Sequence, residues 1–197
     1  MSSQVSTIEH DAPRRALTPR QANTVDGLTA AAVAELADVG YGQLTVRNVA
    51  KRAGVAPATA YTYFASKEHL VAEVFWRRFQ AEPEPSVDRR RSPVSRVAEA
   101  LCSFALVVAH ESDLAAACTV AVLADDPDVR VLRMRIGAEL HRRLLLALGD
   151  DVEAEVITTL QFAVSGALLQ VGTGHLGYDA LPDVLASIAA TILEGHT

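Results

Sequence analysis

Between Val39 and Lys67 the chain contains no aspartate or glutamate, yet Arg47, Lys51, Arg52 and Lys67 all fall there and the whole protein carries a formal charge of −6. Aromatic residues are scarce, at 5%, while the hydrophobic half of the chain is mainly Ala, Val and Leu. That palette favours helices over strands. It is also large enough to bury a sizeable core, which excludes wholesale disorder. Cys102 and Cys118 are the only cysteines, too few for a disulfide framework or a metal-ligand set, and read as small core residues in a reducing compartment. The nearly apolar runs 100–109 and 114–124 are too short to span a bilayer. MSSQVSTIEHDAPRR lacks the apolar stretch of an export signal. The expectation is a cytoplasmic protein with no membrane partner.

Catalytic signatures are missing as well. His10, His69, His110, His141, His175 and His196 show no ligand spacing, and there is no nucleophile elbow or phosphate-binding glycine loop. The chain is expected to be no enzyme, with no cofactor and no metal. Asp125, Asp126 and Asp128 cluster around Pro127, where helix capping and a metal site are the two readings, capping being preferred.

What is present is unevenly distributed. Residues 1–80 hold nine Lys/Arg against seven Asp/Glu, a net of +2, and residues 81–197 hold nine against seventeen, a net of −8. One end can approach a polyanion that the other would repel. No segment alternates with period two, so the fold class is all-α. Residues 1–18 read as a mobile arm; Arg14, Arg15 and Arg20 either touch phosphates or belong to a solvated tail. Val25, Leu28, Ala32, Leu36 and Val39 recur at helical spacing until Gly40 stops the helix. Thr45 is placed to cap a second helix ending at Gly54, Pro57 opens a very short third, and Ser66 caps a fourth. EPEPSVDRRRS (82–92) reads as a break and a solvated linker. Helices are then expected at about 93–110, 113–124, 128–148, 151–173 and 180–194. The domain boundaries follow: 19–65 for a three-helix DNA-binding unit and 66–197 for a larger helical domain, with 66–81 as the connecting helix.

Two short helices around a glycine turn make a helix-turn-helix. Ala50 is small where the helices cross, and Gly54 suits a left-handed turn. Val49, Ala53, Val55, Ala60 and Phe64 supply the apolar backing. Between them lie Arg47, Thr59, Tyr61, Thr62 and Tyr63, suited to phosphate oxygens and thymine methyls in a major groove. The start of the third helix at Ala56-Pro57 adds partial positive charge. A carboxylate close to a phosphate is repelled, so a DNA-facing segment has reason to exclude acids. The modest basic count implies two copies per site.

LTVRNVAKRAGVAPATAYTYFASKEHL (44–70), preceded by AAAVAELADVGYGQ, resembles the tetracycline-repressor (TetR) family of bacterial transcriptional regulators. The resemblance covers about the first 80 residues. It implies that Thr45 and Arg47 contact the backbone and a base, and that Ala56, Pro57, Ala58 and Thr59 face the groove. It further implies that Tyr61, Thr62 and Tyr63 meet phosphates or methyls and that Lys67 anchors a phosphate. Ala56, Ala58 and Ala60 depart from the commoner family pattern of Ser or Thr, Gly, and Leu, which bears on the operator sequence. The family also implies a near-palindromic double-stranded operator, a homodimer, a small-molecule effector and repression.

In the C-terminal part, Leu160, Ala163, Gly166, Ala167, Leu185, Ile188 and Ile192 either pair across a two-fold as a four-helix bundle or complete the monomer core. Effector-pocket candidates are Phe104, Val108, Cys118, Thr119, Val122, Met134, His141, Leu144, Gln161 and Phe162, each also readable as a plain core residue. Scarce buried charge points to a mainly apolar effector. The competing reading is a helical ligand-binding or interaction module without operator-specific DNA binding.

Overall fold

The computed structural model describes residues 18–149 and 152–195, and these fold into helices with no strand. The expected arm lies outside the described residues except for Thr18. That residue opens α1 (Pro19–Gln43) with a capping box, its hydroxyl accepting from the Gln21 N–H while the Gln21 side chain accepts from the Thr18 N–H. Val25, Leu28, Ala32 and Leu36 bury as their spacing predicts. Val39 does not: it is 39% exposed, because Gly40 at φ 73° breaks the helix beside it and swings the chain away.

Thr45 caps α2 (Val46–Arg52) by accepting from the Asn48 N–H at 3.1 Å. Gly54 takes φ 67° in the turn, and α3 (Pro57–Tyr63) follows with Pro57 in its first turn. Ser66 caps α4 (Lys67–Ala81). Val49, Ala50, Ala60 and Phe64 are buried, and Ala53 and Val55 pack partly against the same core. One apolar mass therefore holds α2 and α3 rigidly on α1 and leaves their outer faces to solvent.

The larger part comprises α5 (Pro93–Ala105), α6 (Ser112–Val122), α7 (Pro127–Leu148), α8 (Ala154–Gly172) and α9 (Leu181–Glu194). The fifth helix ends before the expected His110, residues 106–110 forming turns. α4 packs on α6 and α7, α5 lies against α7 and α9, and α8 pairs with α9. Phe75, Phe79 and Phe104 meet edge to face or tilted where α4 crosses α5, with centroids 5.0–6.4 Å apart.

Helix C-termini leave carbonyls without partners, and here arginines from elsewhere satisfy them. Arg133 donates to the Val122 and Ala124 carbonyls beyond α6, at 2.7 and 2.8 Å. Arg96 and Arg89 do the same at the end of α7, reaching Ala147 at 2.7 Å and Leu148 at 3.0 Å. The segment read as a solvated linker is thus docked: Arg91 also pairs with Glu99. Arg143 closes α4. It is 1% exposed and donates to the Phe79, Glu82 and Pro83 carbonyls, each at 3.0 Å.

Candidate nucleic-acid interface

The proposed DNA-facing residues lie at the start of α2, on α3 and its approach, and at the start of α4. Thr45, Arg47, Ala56, Pro57, Ala58, Thr59, Tyr61 and Thr62 are exposed, and Tyr63 and Lys67 half-buried. Tyr61 is 51% exposed, large for an aromatic on a seven-residue helix whose opposite face, at Ala60, is fully buried. Alternation between a buried back and an open front follows from helical periodicity over so short an element.

Charge on this head is sorted in a way the sequence did not reveal. Arg52 pairs with Glu35 at 2.7 Å and with Asp38, two carboxylates about one turn apart on α1. It therefore neutralises the acids behind the motif and is not a free cation. Arg47 and Lys51 remain exposed without an ion pair among the described residues. Thr62 donates its hydroxyl hydrogen to the Thr59 carbonyl at 2.6 Å, so outward it presents an acceptor and a methyl group.

Lys67 is anchored before any DNA arrives. Its Nζ donates to the Tyr41 carbonyl at 2.9 Å and lies 4.4 Å from the centre of the Tyr41 ring. One donor is spent on that carbonyl and two remain available. The Tyr41 hydroxyl donates to Glu68 at 3.1 Å, and burial, then the Glu68 charge, raise its pKa well above the usual phenol value. Gly40 makes this stitch possible, since its left-handed turn brings Tyr41 from the end of α1 against the start of α4.

Behind the interface, Ser66 donates to Asp126 Oδ2 at 2.7 Å while Asp126 Oδ1 accepts from the Asp128 and Val129 N–H groups at the start of α7. Burial opposes ionisation of Asp126, but these hydrogen bonds outweigh it and hold the carboxyl below its ordinary value. The aspartate cluster thus caps a helix, as the spacing suggested. His69, 4% exposed, lies edge-on to Phe64 at 5.3 Å and has Nδ1 3.6 Å from Asp128. The end of α3, the start of α4 and the start of α7 meet here.

The candidate effector residues do not share one environment. Phe104, Val108, Cys118 and Leu144 are buried, and Thr119, Val122, His141 and Gln161 are half-buried. Met134 and Phe162 stand on the surface of the single chain, 63% and 74% exposed. Thr119 already donates to the Ala115 carbonyl and Gln161 to the Gly137 carbonyl, so both are satisfied internally. Burial pushes the Cys118 thiol up to about 12, which leaves it uncharged. Buried charge is not absent: Arg96 and Arg143 are inside, but both are spent on helix ends.

The candidate interface residues divide too. Leu160, Ala167 and Leu185 lie in the core, Ala163, Ile188 and Ile192 are half-buried, and Gly166 is exposed. The open face of α8 instead carries Phe162, Ser165, Gly166 and Leu169, with Leu169 50% exposed. Sequence reading gave Gly166 to the interface but Phe162 to the pocket, and did not single out Leu169, which lies on the face opposite the core stripe. By length and composition alone α8 is long and apolar enough to cross a membrane.

Comparison with known proteins agrees with this geometry. A family model described as bacterial regulatory proteins, tetR family, matches residues 28–74. The chain is 45% identical over 178 residues to an uncharacterized HTH-type transcriptional regulator of Mycobacterium tuberculosis, covering 89% of this chain and 83% of that protein. A TetR transcriptional regulator from Rhodococcus sp. RHA1 has the same fold, with a TM-score of 0.72 at 22% identity, covering 90% of this chain and 98% of that one. Thermus thermophilus FadR, a TetR-family repressor in complex with lauroyl-CoA, gives a TM-score of 0.64 at 20% identity, covering 88% and 95%.

Proposed function

The chain belongs to the TetR family of bacterial transcriptional regulators, a family of DNA-binding proteins and not of enzymes, and on that premise we propose that it is a homodimeric repressor released from its operator by a small, mainly apolar effector. A bacterial regulator acts on the chromosome, hence in the cytoplasm. The observation that carries the DNA-facing assignment is the acid-free front of α2 and α3, where Arg47, Thr59 and Tyr61 stand open over a buried apolar back. Thr45, Arg47 and Lys67 would hold phosphates, while Ala56 to Thr59 and Tyr61 to Tyr63 would meet the major groove. Two such heads would sit one helical turn apart, about 34 Å, on a near-palindromic site.

The unpaired apolar face of α8 supports dimer formation, with Phe162 and Leu169 as its large side chains and Gly166 allowing close approach. For the effector, the apolar core of the C-terminal part around Phe104, Val108 and Leu144 supports a ligand with an apolar chain. The lauroyl-CoA held by the Thermus FadR makes acyl thioesters the first compounds to try. Release would proceed through α4. Its C-terminal end is fixed by Arg143, and its N-terminal end is tied to the α6–α7 turn by the Ser66–Asp126 contact, so ligand-driven movement of that turn would act on the end nearest α3. The ligand shifts this equilibrium only through its differential affinity for the two conformations.

Selection of bound duplexes from random DNA, followed by anisotropy titration, tests the reading. Replacing Tyr61, Tyr63 and Lys67 together by Ala should weaken binding at least tenfold with the helical content retained. Undiminished affinity would place the recognition surface elsewhere.

A further inference from the structure

Beside the helix-turn-helix, and resting on the DNA-binding reading, we propose that the groove between the first turn of α1 and α3 seats one strand of the DNA backbone, with Arg20 as its phosphate-binding residue. The groove is open. Arg20 and Thr24 line one wall, and Val55, Thr59 and Tyr63 line the other. Thr59 and Tyr63 lie one turn apart on the helix that faces the bases, so whatever enters the groove also touches the recognition helix.

Arg20 stands in the first turn of α1. It is exposed and has no carboxylate partner among the described residues, whereas Arg52, Arg77, Arg78, Arg91, Arg130 and Arg142 each hold one. The first turn of α1 has no acid. Asp26, the next acid along α1, is drawn off by Arg77 of α4. In an acidic protein, an arginine with no ion pair among the described residues, at the positive end of a long helix and over a groove whose described lining has no carboxylate, is disposed toward an anion from outside.

Openness decides which anion. A small ion in an exposed cleft gains little in water and is screened by salt. A backbone strand already held by α3 incurs no new loss of translational freedom when one more phosphate meets Arg20. Such a contact fixes the register of α3 and reads no base.

The test is anisotropy titration of the full chain with its selected duplex and with mismatched variants, over a range of salt. Wild type, Arg20→Ala and Arg20→Lys are compared, with inorganic phosphate as competitor. The proposal predicts that Arg20→Ala weakens every duplex by a similar several-fold factor and reduces the log–log salt slope by about 1. Arg20→Lys should keep the slope, thermal melting should be unchanged, and phosphate should compete no better than chloride at equal ionic strength. If wild type binds and Arg20→Ala matches it in affinity and slope, the groove assignment fails while the DNA-binding reading stands. A loss confined to the selected sequence, or displacement by phosphate at low concentration, would overturn it in favour of a base contact or a small-anion site. Failure of wild type to bind any duplex would remove both.

Discussion

Arg143 shows how much one side chain can organise. Its five N–H donors are all used: Nε on Glu139, one terminal nitrogen on Pro83 and Ser103, the other on Phe79 and Glu82, with the guanidinium 4.5 Å from the centre of the Phe79 ring. Only a planar fork fills this set, so Arg143→Lys should cost roughly 3 kcal/mol, read as a lowered denaturation midpoint, although the charge is conserved. Glu139 supplies the counter-charge and also binds Arg142. The Arg142 hydrogen bond, helped by Arg143 and opposed by burial, lowers the Glu139 pKa from 4.5 to about 2. A depressed carboxylate contributes stability that is complete above its unfolded value and lost as pH falls toward the folded one. Thermal stability should therefore decline between about pH 4.5 and 2, and Glu139→Gln should start lower and flatten that decline. An equally steep decline in the variant would assign acid sensitivity to other groups.

At the scale of elements, what the sequence made legible was local. Thr45 and Ser66 read as caps and are caps, because a cap bonds within three residues of itself. Gly40 and Gly54 read as breaks, and both have positive φ. A Cβ at Gly54 would meet nothing within 4 Å, so Gly54→Ala isolates backbone strain. It should cost roughly 1–2 kcal/mol in chemical denaturation and loosen α3, lowering DNA affinity further. What stayed hidden depends on distant partners. Arg52 counted among the bases of the acid-free segment, and only the fold, with Glu35 and Asp38 of α1 beneath it, shows its charge to be taken up. Arg89 and Arg91 looked solvated until α7 and α5 arrived, and Arg143 carried no signal because helical periodicity cannot distinguish a buried arginine from a surface one. The candidate pocket was the least legible part, since Met134 and Phe162 are apolar yet lie outside the core.

At the scale of the whole molecule, a head with an acid-free front and an acidic body are joined by α4. The body sets several of its carboxylates against arginines, as at Arg142 with Glu84 and Glu139. If α8 supplies the pairing face, Phe162→Glu should convert the dimer to monomer in analytical ultracentrifugation and weaken operator binding by at least tenfold without lowering helical content. Persistence of the dimer would move the interface to another face. The most direct measurement is a stoichiometric titration of a duplex selected from random DNA, followed at increasing salt. The expected result is saturation at a whole number of dimers per site, with affinity falling steeply as salt rises; monomeric protein that binds no duplex even at low ionic strength would contradict it.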